Sequence, residues 1–159
     1  MSHNTKVYRP QGGDSLEVAP GGAINVADGG AVRGGTVVQS FVGSATVAQV
    51  NAGLELIPGV AGRSIRPLLI RLVFAGTAAG ATDIRISDTN SSPVDAVTVA
   101  VAAANGSTVT TAGAAAANVT YGAGLLAALT AGEGVQIRKT GGTLTGTTSV
   151  GVLVLYEVI

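Results

Sequence analysis

The sequence predicts an all-β protein: a jelly-roll-like antiparallel β-sandwich preceded by an extended Gly-rich N-terminal arm of short strand–turn repeats. Three observations predict it. From Thr36 onward, runs of Val, Ile, Leu and Thr recur at short intervals, separated by Gly, Asn, Asp and Pro. Within several of these runs apolar and polar residues alternate, as on a half-buried strand. Before Thr36, an apolar residue is repeatedly followed by a glycine pair. The chain therefore divides into an arm, residues 1–36, and a sandwich domain, residues 37–159.

In the arm, Val7 leads to Gly12-Gly13, Leu16 to Gly21-Gly22 and Ile24 to Gly29-Gly30. The best-matched copies are Leu16-Glu-Val-Ala-Pro-Gly-Gly-Ala23 and Ile24-Asn-Val-Ala-Asp-Gly-Gly-Ala31. Each unit reads as a brief strand and a glycine turn. So short a strand cannot bury enough surface to offset its ordering entropy, so the units are expected to stack on one another, on a sister chain or on a partner; the alternative is a Gly-rich linker, which would not need Leu, Val and Ile in register.

In the sandwich domain the expected strands are 36–42, 46–57, 64–74, 82–87, 94–102, 108–111, 118–121, 135–140 and 148–159. Asp83-Ile84-Arg85-Ile86-Ser87 and Val97-Thr98-Val99-Ala100-Val101 alternate cleanly. The last strand differs: Val150, Val152, Val154, Tyr156 and Val158 line one face, while Leu153, Leu155 and Ile159 line the other. A sandwich covers only one face of a strand, so the second apolar face predicts a homo-oligomer, the alternative being a central strand buried on both faces within a monomer. Residues 125–129 are allowed at most one helical turn, because Gly113, Gly122 and Gly124 interrupt the Ala- and Leu-rich stretch around them.

Composition narrows the function. Glycine and alanine fill 50 of 159 positions, and nine Lys+Arg balance nine Asp+Glu. With no net basic field, no Trp and two Phe, nucleic acid is not an expected partner. No charged residue lies between Asp95 and Glu133, yet polar residues break this stretch well short of the ~18 apolar residues of a spanning helix, so no membrane partner is expected. The first ten residues lack the apolar core of a secretory signal, so synthesis and folding in a cytoplasm are expected.

Chemistry is sparse. Cysteine is absent and His3 is the sole histidine, so one chain cannot supply a thiolate, a His/Cys metal cluster or a Ser-His-Asp triad. Asp83, Asp88 and Asp95 surround the oxygen-rich segment Ser87-Asp-Thr-Asn-Ser-Ser-Pro93, whose spacing misses the EF-hand pattern and suits a polar turn. Neither catalytic residues, a cofactor nor a metal is expected. Arg63, Arg66 and Arg71 enter a strand otherwise made of Ile65, Leu68, Leu69, Ile70 and Leu72. They read either as a solvated edge or as inter-subunit partners for acids such as Asp83 or Glu133.

Three stretches carry a likeness: Leu16 to Thr36; the run Ile57-Pro-Gly-Val-Ala-Gly-Arg-Ser-Ile-Arg-Pro-Leu-Leu-Ile-Arg-Leu72; and the ending from Leu129 through Gln136-Ile-Arg-Lys-Thr-Gly-Gly142 to Ser149-Val-Gly-Val-Leu-Val-Leu-Tyr156. In style and order the sequence resembles the small decoration, or cement, proteins of tailed-bacteriophage capsids. Ala131-Gly-Glu-Gly-Val-Gln-Ile137 is also similar to a turn and strand of trimeric jelly rolls of the tumour-necrosis-factor type.

The resemblance implies a non-enzymatic minor capsid protein on the outer surface of the virion, assembled in the host cytoplasm. It also implies a homotrimer that binds several major capsid proteins. Val7, Tyr8, Leu16, Val18, Ile24 and Val26 of the arm would then contact coat protein or a neighbouring arm by strand addition. Leu153, Leu155, Tyr156, Ile159, Arg66 and Arg71 would hold the trimer together. The competing expectations are a receptor-binding, fibre-tip protein stacking a host glycan on Tyr121, and a carbohydrate-active enzyme with paired carboxylates.

Overall fold

The computed structural model describes residues 37–104, 106–111 and 118–159, together with two short strands, β1 (Val7–Tyr8) and β2 (Glu17–Val18). The chain divides into two units, Met1–Gly35 and Thr36–Ile159. In the first, β1 and β2 pair antiparallel, with Val7 opposite Val18 and Tyr8 opposite Glu17.

The second unit contains β3 (Val38–Thr46), α1 (Val47–Ala52), β4 (Leu54–Ile57), β5 (Ile65–Asp88), β6 (Asp95–Ala100), β7 (Thr108–Thr110), β8 (Val119–Tyr121) and β9 (Val135–Val158). The fold is all-β. Its strands join one seven-stranded antiparallel sheet that is nearly closed into a barrel.

The frame is the pair β5 and β9, each 24 residues long and antiparallel from Ile65 opposite Val158 to Asp88 opposite Val135. Flanking strands divide this pair into two halves. In one half β3 adds to the C-terminal part of β9, and β7 to the N-terminal part of β5. In the other, β4 adds to the N-terminal part of β9, β6 to the C-terminal part of β5, and β8 to β6. Between the halves the register slips repeatedly, from Ala75 to Asp83.

Glycine makes this crossing passable. Gly80 has φ of 84° and a Cβ there would stand 2.2 Å from the Thr143 carbonyl oxygen; Gly146 has φ of 80° and a Cβ would stand 2.1 Å from that of Thr77. Both positions combine a left-handed backbone with close backbone approach, which excludes other residues. The intervals 75–81 and 141–147 read as breaks in the sequence, whereas the structure carries both strands through them.

Alternation places the core. Ile70, Leu72 and Phe74 of β5 are buried with Val150, Val152 and Val154 of β9, while Arg71 and Val73 between them are exposed. In the other half Ile84, Ile86, Val97, Val99, Val135 and Ile137 are buried. All belong to one apolar cluster that also takes in Val50 of α1, whose neighbour Asn51 bonds the backbone of Leu144 between the two halves. Among the described residues Phe74 is its one buried aromatic; Val, Ile, Leu and Ala fill the rest.

One expectation is corrected. The strand expected over 46–57 is split, with α1 occupying 47–52 and only Leu54–Ile57 extended. Thr46 and Gln49 form a capping box: the Gln49 amide N–H donates to Thr46 Oγ1 at 3.3 Å, and the Thr46 N–H donates to Gln49 Oε1 at 2.8 Å. Gly53, with φ of 80°, ends the helix. Local capping and the burial of Val50 outweigh the β preference of Val47 and Val50. At 123–126 the chain makes a turn, and Leu126 has φ of 62°, which is incompatible with a helix there.

Candidate interaction surface

Residues paired across strands share a face, so the register itself assembles the surface. On the outside of the β3/β9/β5/β7 half, Ser40 aligns with Leu155 and Leu69. Val42 aligns with Leu153, Arg71 and Thr110, and Ser44 with Gly151, Val73 and Thr108. Val42 is 74% exposed and Val73 41%, while Leu153 and Leu155 are half-buried.

Gly151 contributes no side chain to this row. Above it lies an open depression of about 250 Å3, lined by Val42, Val73, Leu153 and Arg71. Arg71 is exposed and makes no ion pair among the described residues. At one end of the face Arg66 pairs with Glu157, its Nε donating to Oε2 at 2.7 Å. The Arg66 partner is thus an acid of its own chain, directly opposite on β9.

The edge of this half is uncharged. Strand β3 reads Val-Gln-Ser-Phe-Val-Gly-Ser-Ala-Thr, and among the described residues it pairs with a strand on one side only. It carries none of the charges or prolines that usually protect a free edge from pairing with another chain.

The outside of the other half is polar and internally matched. Arg85 donates from Nη2 to Asp83 Oδ2 at 2.9 Å and from Nη1 to Asp95 Oδ2 at 2.7 Å. Arg138 reaches Asp95 Oδ1 at 2.9 Å and Ser87 Oγ at 2.9 Å. Thr140 Oγ1 adds a bond to Asp83 at 3.1 Å. Two cations and two anions therefore cancel. The hydrogen bond to Asp83 holds the Arg85 guanidinium above its ordinary pKa, against the opposing effect of burial. Its Nε is buried and makes no hydrogen bond.

Asp88, fully buried, is committed to loop structure. Its Oδ1 accepts from the Val94 N–H at 2.9 Å, and its Oδ2 accepts from the Thr130 hydroxyl at 2.7 Å and N–H at 3.3 Å. Asp83 and Asp95 meet on Arg85, but Asp88 does not join them. Among the described residues no three His, Cys, Asp or Glu side chains gather as a metal site would require. No helix of the described residues is long and apolar enough to cross a membrane.

Of the expected interface residues, Leu153, Leu155, Arg66 and Arg71 lie on the apolar outer face. Tyr156 lies on the opposite face of β9, its hydroxyl donating to Gln39 Oε1 at 3.0 Å. Ile159 is exposed and exchanges backbone hydrogen bonds with Ser64 at 2.9 Å each way. In the arm, Val7, Tyr8 and Val18 fall in β1 and β2, whereas Leu16, Ile24 and Val26 lie outside the described residues. Sequence reasoning missed Val42, Val73 and Gly151. The only available signal was a glycine inside an apolar strand, which marks close approach by another group.

Comparison of the chain with family models, curated proteins and solved structures finds no match.

Proposed function

We propose that the chain is a non-enzymatic structural protein that decorates a phage capsid from outside, binding as a homotrimer across neighbouring major capsid proteins and stabilising the shell. One observation carries this reading. The sheet has a polar outer face on which Arg85, Arg138, Asp83 and Asp95 pair with one another, and an apolar outer face beside an uncharged strand edge that no other described strand pairs with. Such asymmetry suits a protein that works by being held against copies of itself and a scaffold. The sequence resemblance to decoration proteins supports the same reading.

Mechanically, the protein is a clamp. Three arms on one trimer make each later contact with the shell effectively intramolecular, so modest single contacts sum to high avidity. Strand addition by Val7, Tyr8, Leu16, Val18, Ile24 and Val26 supplies the arm contacts, because main-chain hydrogen bonds serve a short extended segment with little apolar surface.

The test combines light scattering on the full-length protein with cosedimentation on capsids that lack it. A trimer that pellets with shells, and loses this when Leu16, Val18, Ile24 and Val26 are all changed to Ser, is the expected result. A monomer, or pelleting indifferent to those changes, overturns the proposal.

A further inference from the structure

Leu126 is 64% exposed although it is a large aliphatic residue. Its φ of 62° is a conformation that L residues other than Gly, Asn and Asp seldom adopt. The turn that carries it is nevertheless pinned. Leu125 N–H donates to the Gly122 carbonyl at 3.2 Å, Leu126 N–H to that of Pro67 at 2.8 Å, and Leu129 N–H to that of Ile65 at 2.8 Å. Leu129 is buried in the core. The result is a fixed apolar knob beside the N-terminal end of β5.

The depression over Gly151 is the matching concavity. A cavity of about 150 Å3 holds a benzene ring, so an open depression of about 250 Å3 has room for a leucine side chain. Its walls, Val42, Val73 and Leu153, are apolar. Arg71 on the rim needs hydrogen-bond acceptors, and the turn offers backbone carbonyls. It brings no cation, because residues 96–132 contain no charged side chain.

We propose that Leu126 of one copy inserts into the depression over Gly151 of a second copy, and that this knob-in-socket contact closes the oligomer. Knob and socket are different surfaces of one chain, so the contact is head-to-tail and repeats around a ring. This rests on the homotrimer reading above and names the surface that would build it. Area supports a second copy as the occupant. Three strands about 4.8 Å apart and about 3.3 Å per residue over the length of β3 give a face of roughly 400 Å2 in projection. Two partners would then bury roughly 800 Å2 in projection, and more as accessible surface once the protruding side chains are included, close to the ~1,000 Å2 of a specific interface. A single isolated peptide strand would leave most of that face uncovered.

Two full-length variants test the contact. Leu126→Gly removes the knob and also relieves its left-handed backbone, so folding is retained. Gly151→Val fills the socket. Gly151 is not left-handed, and a Cβ there lies 3.5 Å from its nearest neighbour, Val73, an ordinary contact. Sedimentation velocity over a concentration series should show a wild-type trimer and a loss of at least about tenfold in association for each variant, with circular dichroism unchanged. An equimolar mixture retains one intact knob and one open socket, and should form a dimer that neither variant forms alone.

Trimers that persist in both variants overturn the knob-in-socket contact and leave the trimer reading standing. A closed ring of another size that both variants disperse supports the contact and overturns the trimer. A wild type that is monomeric at every concentration overturns both.

Discussion

Strands β5 and β9 run through both halves of the sheet, yet their outward residues change character along the way. Toward Ile65 and Val158 they present Leu69, Arg71 and Val73 opposite Leu155, Leu153 and Gly151. Toward Asp88 and Val135 they present Asp83 and Arg85 opposite Thr140 and Arg138. The inward residues are apolar in both, Ile, Leu, Phe and Val in the first half and Ile and Val in the second. Inner alternation thus sets the fold, and outer alternation sets what the fold is free to meet. A charge already bonded to its neighbour gains little from a partner, while exposed Val42 and Val73 still gain from leaving water.

The difference breaks most severely where the polar half depends on a buried carboxylate. Asp88→Ala should cost about 3 kcal/mol or more, because the Val94 N–H and both Thr130 donors lose their acceptor inside the protein. Urea denaturation measures it. A loss below about 1 kcal/mol would mean that water replaces the carboxylate and that this end of the sheet is not sealed.

The crossing between the halves comes next. Gly80→Ala places a Cβ 2.2 Å from the Thr143 carbonyl on a backbone with φ of 84°. A cost of about 2 kcal/mol or more is expected from left-handed strain plus the displaced strand. Thermal unfolding with hydrogen exchange at 75–81 and 141–147 would show whether both halves loosen together. Loosening confined to one half would make them separate cooperative units.

What the sequence made legible follows from which interactions are local. Ile84 and Ile86, Val97 and Val99, and Val150, Val152 and Val154 are buried as their period-two alternation requires. Helix α1 was legible too, in Thr46, Gln49 and Gly53, but β-rich neighbours masked the capping box. The continuity of β5 through Gly76 and Gly80 was not legible, because glycine there serves a crossing strand and not a turn. The link between Asp95 and Arg138 spans 43 positions and arises only from register. The left-handed Leu126 has no sequence signature at all, since local preference argues against it.

Smaller effects sharpen the contrast between the two outer faces. Asp95→Ala leaves Arg85 and Arg138 short of a partner in a site only about one-fifth exposed, and should cost about 1–2 kcal/mol. Val42→Thr, on the apolar side, should change the stability of the single chain by less than about 0.5 kcal/mol. Measured by urea midpoint at low protein concentration, equal costs would erase the distinction between a satisfied face and an open one.

The smallest handle is Tyr156, which joins β9 to the edge strand β3 through Gln39. Burial pushes its phenol above its ordinary value, so in the folded state ionisation is harder than in the unfolded chain. Stability from this group is therefore complete below the unfolded value of about 10 and is lost as pH rises through the folded value. The urea midpoint of the wild type should fall above pH about 10, and that of Tyr156→Phe should fall less steeply. At neutral pH the same substitution removes one exposed hydrogen bond and should cost less than about 1 kcal/mol. Hydrogen exchange should quicken along Val38–Thr46 and leave Asp95–Ala100 unchanged, because only the apolar half is pinned by this contact. Equal alkaline slopes for the two proteins would show that the phenol is as solvated folded as unfolded, and that β3 is held by its backbone pairing with β9 alone.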